Sequence, residues 1–326
     1  MIMNVYTSQC DDLFKEVESS ITVDYYLSFR PKEGEATDSE KLHEHLKSTV
    51  LCSLALNDHV NVVSKLIRAL AAGTQKNVSQ YNDASMILLT FTALYHDIGK
   101  AELHYQFYAH NRVNEYEVPH NMASIAFLLH ALNNEELYEK WIKLFVEELG
   151  FRPGIAVDLL TASLTAVVLH HEYFDYRDLS FIDIVTPTTI AYAKRVNINT
   201  LLCFHKSVAN VVDYAWSNIE KLNSDKNIII KLFTPLLYRP KSNVVIVLGE
   251  ALDYISTLHH ELGGIYFDTK AKSLRVKPRE NLHLVLSLAE VLTWILTVAD
   301  NLAASKRGDK GSVFSKHILR YYGVQI

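Results

Sequence analysis

Glycine and proline are scarce, with 11 and 7 in 326 residues. That is well under average usage and favours a mostly helical chain over sandwiches and loop-rich scaffolds. Cysteine is scarcer still. Cys10, Cys52 and Cys203 are odd in number and far apart, so they fit neither a disulfide framework nor a CxxC zinc site. A reducing interior is expected. No apolar run reaches the roughly 18 uncharged residues of a spanning helix. The start, MIMNVYTSQCDD, has no basic stretch followed by an apolar one. A cytoplasmic protein with no membrane partner is therefore expected. With 49% hydrophobic and 21% charged residues, the chain can bury a full core, which excludes disorder and fibre.

Charge is unevenly spread. The net charge of −5 argues against a wholly basic nucleic-acid coat, yet the chain from Lys270 onward is net +6 and everything before it is net −11. Lys270, Lys272, Arg275, Lys277 and Arg279 form one basic cluster, and Lys306, Arg307 and Lys310 form another. Such clusters are either solvated faces or phosphate grips.

Apolar residues at helical spacing recur along most of the chain. Leu42 to about Ala72 reads as one helix or a broken pair. Asp83 is a candidate N-cap for a second helix, closed by Gly99. Further helices fit 119–132, 135–149, 154–172, 199–222, 227–237, 244–261 and 281–305. The N-terminal stretch and the turn-rich Arg30 to Ser39 are exceptions. So is GIYFDTKAKSLRV at 264–276, which alternates like a β-hairpin. The expected fold is all-α with that one hairpin. Its expected organisation is an N-terminal segment 1–41, one helical domain 42–305 and a basic tail 306–326.

The candidates for chemistry lie at the ends of these helices. His96-Asp97-Ile98-Gly99-Lys100 closes the second one; shuffling this composition gives His-Asp-x-Gly-Lys on the order of once in several hundred chains. An Asp at the end of a buried helix needs a compensating partner, and a divalent cation is one of few. An ion pair with Lys100 is the alternative. His45 lies near the start of its helix, with His43 as competitor because residues two apart point in different directions. His120 opens a helix, with His130 further along as a core residue. His170 and His171 end another, and His259-His260 ends one in the same way. Asp300 interrupts an apolar helix in VADNLAAS, where a lone carboxylate should be avoided; Asp213 in VVDYAWS is its rival.

A first His, then His-Asp, then a distant Asp on helices resembles the HD superfamily of metal-dependent phosphohydrolases. Within it, the sequence looks most like the HD nuclease of type I CRISPR interference, which adds a His and a His-His pair. The match spans about His45 to Ser305, with HDIGK and VADNLAAS as its specific parts. The resemblance implies an HD-type helical bundle with His45, His96, Asp97, His120, His170, His171 and Asp300 as metal ligands. Asp97 would bridge two divalent ions, Mn, Co, Ni or Fe rather than Mg given the imidazole-rich set. Lys100 would hold a phosphate oxygen. The implied reaction is hydrolysis of single-stranded DNA, gripped by Lys306, Arg307 and Lys310. The implied partners are an RNA-guided surveillance complex and a helicase on a separate chain, since no GxxxxGK[ST] phosphate loop occurs. Two departures stand out: about 130 residues separate His171 from Asp300, and the closing motif lacks the Trp that often follows its Asp. HHEYFDYRD, from His170 to Asp178, partly resembles the HHExxDGxGYP string of HD-GYP cyclic-dinucleotide phosphodiesterases. Glu172 and Asp175 are in matching places, but the glycines are absent. That subfamily, or another HD nucleotide phosphohydrolase, is the alternative.

Overall fold

The long apolar stripe starting at Leu42 breaks where an asparagine permits it. In the computed structural model it forms α2 (Leu42–Val60) and α3 (Val63–Leu70), bent by 74°. Between them Asn61 takes a left-handed φ of 44° and donates its N–H to the Asn57 carbonyl, a helix stop that asparagine tolerates better than most residues. The structure describes residues 3–29, 40–73, 76–134, 137–170, 197, 199–222, 231–249, 265–268, 273–276 and 281–305.

The second helix, α4 (Val78–Tyr95), starts well over a turn before the expected cap at Asp83. Asn77 and Gln80 form a reciprocal capping box ahead of it, satisfying donors that would otherwise be orphaned. The tight turn Ile98–Ala101 and α5 (Leu103–Ala109) follow. Then come α6 (His120–Asn134), α7 (Leu137–Ile142), which runs on as a π-helical turn at Lys143–Glu148, and α8 (Pro153–Leu169). The last described helix is α10 (Leu282–Ser305).

Three expectations need correction. The N-terminal stretch is a helix, α1 (Met3–Val17). Its Cys10, Phe14 and Val17, spaced four and three apart, pack on Leu103, Phe107 and Leu201 in a satellite core. That contact joins Cys10 to Cys203 in a disulfide, where no disulfide was expected; Cys52 is buried and free. The segments 199–222 and 244–261 begin as strands rather than helices. β1 (Leu201–Phe204) pairs antiparallel with β2 (Val244–Val247), and α9 (Val208–Leu222) follows β1. Four-residue apolar runs carry too little periodicity to separate strand from helix, and the β-branched side chains of VVIV tip it to strand. Leu282–Ala304 is long and apolar enough to cross a membrane by length and composition, although Glu290 and Asp300 interrupt it. It packs in the core against α2, α3, α4 and α8.

The expected hairpin is present as β3 (Ile265–Asp268) and β4 (Ser273–Val276), antiparallel. The fold is an all-α bundle with one small β-hairpin and one two-stranded antiparallel sheet. Its core holds α4 and α8, whose side chains are buried almost all round, the pattern of helices enclosed by others. Cross-links between them are polar and short: Thr92 to Ser163 joins α4 to α8 at 2.7 Å, and Asn121 Nδ2 donates to Val168 O at 2.7 Å, joining α6 to α8.

Asn77→Ala should remove the cap of α4 and lower stability by about 1 kcal/mol, read as a shift in urea unfolding. An unchanged midpoint would mean that packing alone starts this helix.

Candidate metal centre

Five helix ends meet at one buried carboxylate. His45 comes from the first turn of α2, His96 and Asp97 from just past the end of α4, and His120 from the first residue of α6. His170 comes from just past α8, and Asp300 from the last turns of α10. Each element is tied to its neighbour at the site. Thr297 of α10 donates to the His170 carbonyl at 2.8 Å, and the Gly99 N–H donates to Ser124 Oγ of α6 at 2.8 Å.

Gly99, expected as a left-handed helix stop, has another role. Its φ is not positive, and a Cβ there would collide with the His120 carbonyl and with Ser124. The missing side chain lets α6 come close enough to set His120 against Asp97.

The two Asp97 oxygens face different partners. Oδ1 lies 3.1 Å from His120 Nε2 and 3.5 Å from His170 Nε2. Oδ2 lies 3.1 Å from His45 Nε2, 3.4 Å from His96 Nε2 and 2.5 Å from Lys100 Nζ. Asp300 Oδ1 closes the second side at 3.0 Å from His45 Nε2 and 3.7 Å from His96 Nε2. Two donor groups therefore share Asp97: His45, His96, Asp97 and Asp300; and Asp97, His120 and His170.

The rings are oriented from behind. His96 Nδ1 sits 2.8 Å from Ala93 O and His170 Nδ1 sits 2.7 Å from Val167 O. A carbonyl can only accept, so Nδ1 carries the proton in both rings and Nε2 presents its lone pair to the centre. This is how metal-binding histidines are held in the ligating tautomer. His45 Nδ1 faces Glu40 Oε2 at 3.2 Å, and Ser28 Oγ in turn holds Glu40 at 2.8 Å. Glu40 was not foreseen, because it sits beside the turn-rich segment and has no motif of its own.

Electrostatics agree with a cation site. Burial would raise the Asp97 carboxyl, but His96, Lys100 and His120 around it hold it well below the usual carboxylate range. Burial would raise Asp300 too, but the imidazoles of His45 and His96 beside it hold it low. Burial pushes His96 down, and burial with the nearby Lys100 pushes His120 down to about 4, so both rings are neutral near pH 7 and able to ligate. The buried Nε2 atoms of His45 and His96 have no hydrogen-bond partner. Imidazole nitrogens and carboxylates converging in a dry pocket fit a divalent metal.

Lys100 is buried and paired with Asp97, the ion pair weighed above as the alternative to a metal. His43 lies elsewhere, edge-on to Tyr214 at 4.5 Å between ring centres. Asp213, the rival to Asp300, is bound at the surface by Arg239 Nε at 2.7 and 3.0 Å. His171, Glu172, Asp175, His259, His260, Lys306, Arg307 and Lys310 lie outside the described residues.

Gly99→Ala should push α6 away, costing about 1–3 kcal/mol as overpacking does, and weaken Mn²⁺ binding measured by calorimetry. Unchanged metal affinity would mean that α6 does not hold His120 against Asp97.

No curated protein and no solved structure gives a significant match. The family described as Cas3, HD domain, matches residues 30–224, more than half the chain. The match takes in His45, His96, Asp97, His120 and His170 and stops short of Asp300, which the fold brings back to the same centre on α10. By that match and this geometry, the chain belongs to the Cas3 HD-domain family of CRISPR-associated nucleases.

Proposed function

We propose that the chain is a metal-dependent nuclease that hydrolyses phosphodiester bonds of single-stranded DNA in CRISPR-mediated defence. It would act in the cytoplasm with a separate helicase and an RNA-guided surveillance complex. The observation that carries this reading is Asp97 itself, with one carboxylate oxygen turned to His120 and His170 and the other to His45 and His96. A carboxylate shared between two ions would face its ligands in this way.

His45, His96, Asp97 and Asp300 would hold one ion, and Asp97, His120, His170 and His171 the other. Bound there, divalent ions supply Lewis acidity and a water whose proton is lost near neutral pH. The chain's own residues do the rest. His96 and His170, fixed by carbonyls at their backs, keep their lone pairs aimed at the centre without reorganisation, which is the preorganisation that catalysis rewards. Lys100, already inside the pocket, is the candidate to hold a non-bridging phosphate oxygen once the Asp97 charge is shared with metal. The imidazole-rich set favours Mn, Co, Ni or Fe over Mg. Lys306, Arg307 and Lys310 follow Asp300 in sequence by fewer than a dozen residues, and would grip phosphates without reading bases.

Single-stranded DNA should be degraded with Mn²⁺, Co²⁺, Ni²⁺ or Fe²⁺ and spared with EDTA. Asp97→Ala should slow cleavage by roughly 10²- to 10⁴-fold, the several kcal/mol that metal stabilisation supplies. Hydrolysis of cyclic di-GMP alone would hand the site to the cyclic-dinucleotide reading, and an Asp97→Ala protein that still cleaves would overturn the metal centre. Neutralising Lys306 and Arg307 should weaken DNA binding and reduce the slope of log affinity against log salt by about 1.4, two contacts at about 0.7 each for single strands. An unchanged slope would mean that this segment is only solvated.

A further inference from the structure

A second donor cluster lies on the far side of the Ile98–Ala101 turn, unused by the chemistry above. Cys10 of α1 and Cys203 of β1 are both fully buried and bonded to one another, 193 residues apart in sequence. Beside them are Glu102, which caps α5, and His104 from the first turn of that helix. Ligand atoms of Glu102, His104 and Cys203 lie within 4.8 Å of one another. An imidazole, a carboxylate and the Cys203 sulfur converge, and the Cys10 sulfur is bonded to the last of them.

We propose that in the reduced protein Cys10, Cys203, His104 and Glu102 form a tetrahedral zinc site, distinct from the Asp97 centre. Zinc takes this mixture of thiolate, imidazole and carboxylate. A thiol reductant supplies two electrons and two protons to the disulfide and is itself oxidised to a disulfide, leaving two buried thiols. Zinc then displaces both thiol protons and lies between His104 and Glu102. His104 Nδ1 and Glu102 Oε1 are now joined by a 2.7 Å hydrogen bond. Two ligands at about 2.0 Å from a tetrahedral ion stand about 3.3 Å apart, so the pair must open by roughly half an ångström. The His104 side chain is 46% exposed and can move. Glu102 is fixed: Oε1 accepts from the Cys203 N–H and Oε2 from the Tyr105 N–H, both at 3.0 Å. Phe14, Val17, Leu103, Phe107 and Leu201 wall the cluster on the inside, so loss of the ion would leave polar groups in an apolar shell.

The Asp97 centre has no sulfur donor among its described residues, so cobalt distinguishes the two sites in the intact chain. Purified under reducing conditions, stripped and reloaded with Co²⁺, the full-length protein should show sulfur-to-cobalt charge-transfer absorption. Before stripping, the purified protein should return zinc by elemental analysis. Cys203→Ser should abolish the band. His104→Ala changes a half-exposed side chain and should leave folding intact. It should weaken zinc binding by more than the roughly 10- to 100-fold that an outer partner costs. Absence of the band in a reduced, folded protein would overturn the proposal. So would a Cys10–Cys203 disulfide that survives reductant, or unchanged zinc affinity in His104→Ala.

Discussion

The rest of the structure depends on the burial of one charge. Asp97 has no exposed surface, and a carboxylate out of water is tolerated only when opposite charge or hydrogen bonds surround it. Everything within reach of it answers that demand. Lys100 returns to it from three residues on, His120 and His170 reach one oxygen, and His45 and His96 reach the other. Removing any one partner would leave the same charge less compensated, so the five helices are coupled through it as well as through their apolar faces.

Helix ends make that arrangement economical. The last carbonyls of a helix have no partner within it. The first residues past α4 and α8, His96 and His170, use such carbonyls, three residues back, to hold their Nδ1 protons. One device thus satisfies an orphan acceptor, selects a tautomer and aims a lone pair. The C-terminal ends of α4 and α8 also carry the negative end of the helix dipole, which favours a cation where their histidines point.

How much of this could be read from the sequence followed from how locally each feature is specified. Helices with long stripes, such as the one broken at Asn61 and the one carrying Asp300, were legible from periodicity. So was the hairpin near Asp268, from alternation. LLCF and VVIV were not, since four apolar residues read the same in either state and only their pairing across 40 residues makes them strands. At the centre, the residues alone left His45 against His43 and Asp300 against Asp213 open, since each interrupts an apolar helix, and only the family resemblance favoured His45 and Asp300. Glu40 escaped because it acts from behind His45, and nothing in its neighbours marks it. Cys10 and Cys203 looked unrelated because the helix that carries Cys10 declares itself only through tertiary contacts.

The turn after Asp97 connects these observations. Ile98, Gly99, Lys100 and Ala101 are all buried, so each of their backbone groups needs a partner. The Gly99 N–H goes to Ser124, the Lys100 N–H to Asp97 O, the Glu102 N–H to Gly99 O, and Gln106 Nε2 to Lys100 O. Gln106 also exchanges hydrogen bonds with both backbone groups of Leu27, which fixes the turn to the strand-like segment ahead of α2. A turn held at so many points cannot relax around Asp97 when its charge is redistributed. It keeps Lys100 and the carboxylate in place, as a preorganised site requires. It also places Glu102 rigidly five residues from Asp97, so the two donor clusters share one stiff support and the geometry of either is set by the same hydrogen bonds.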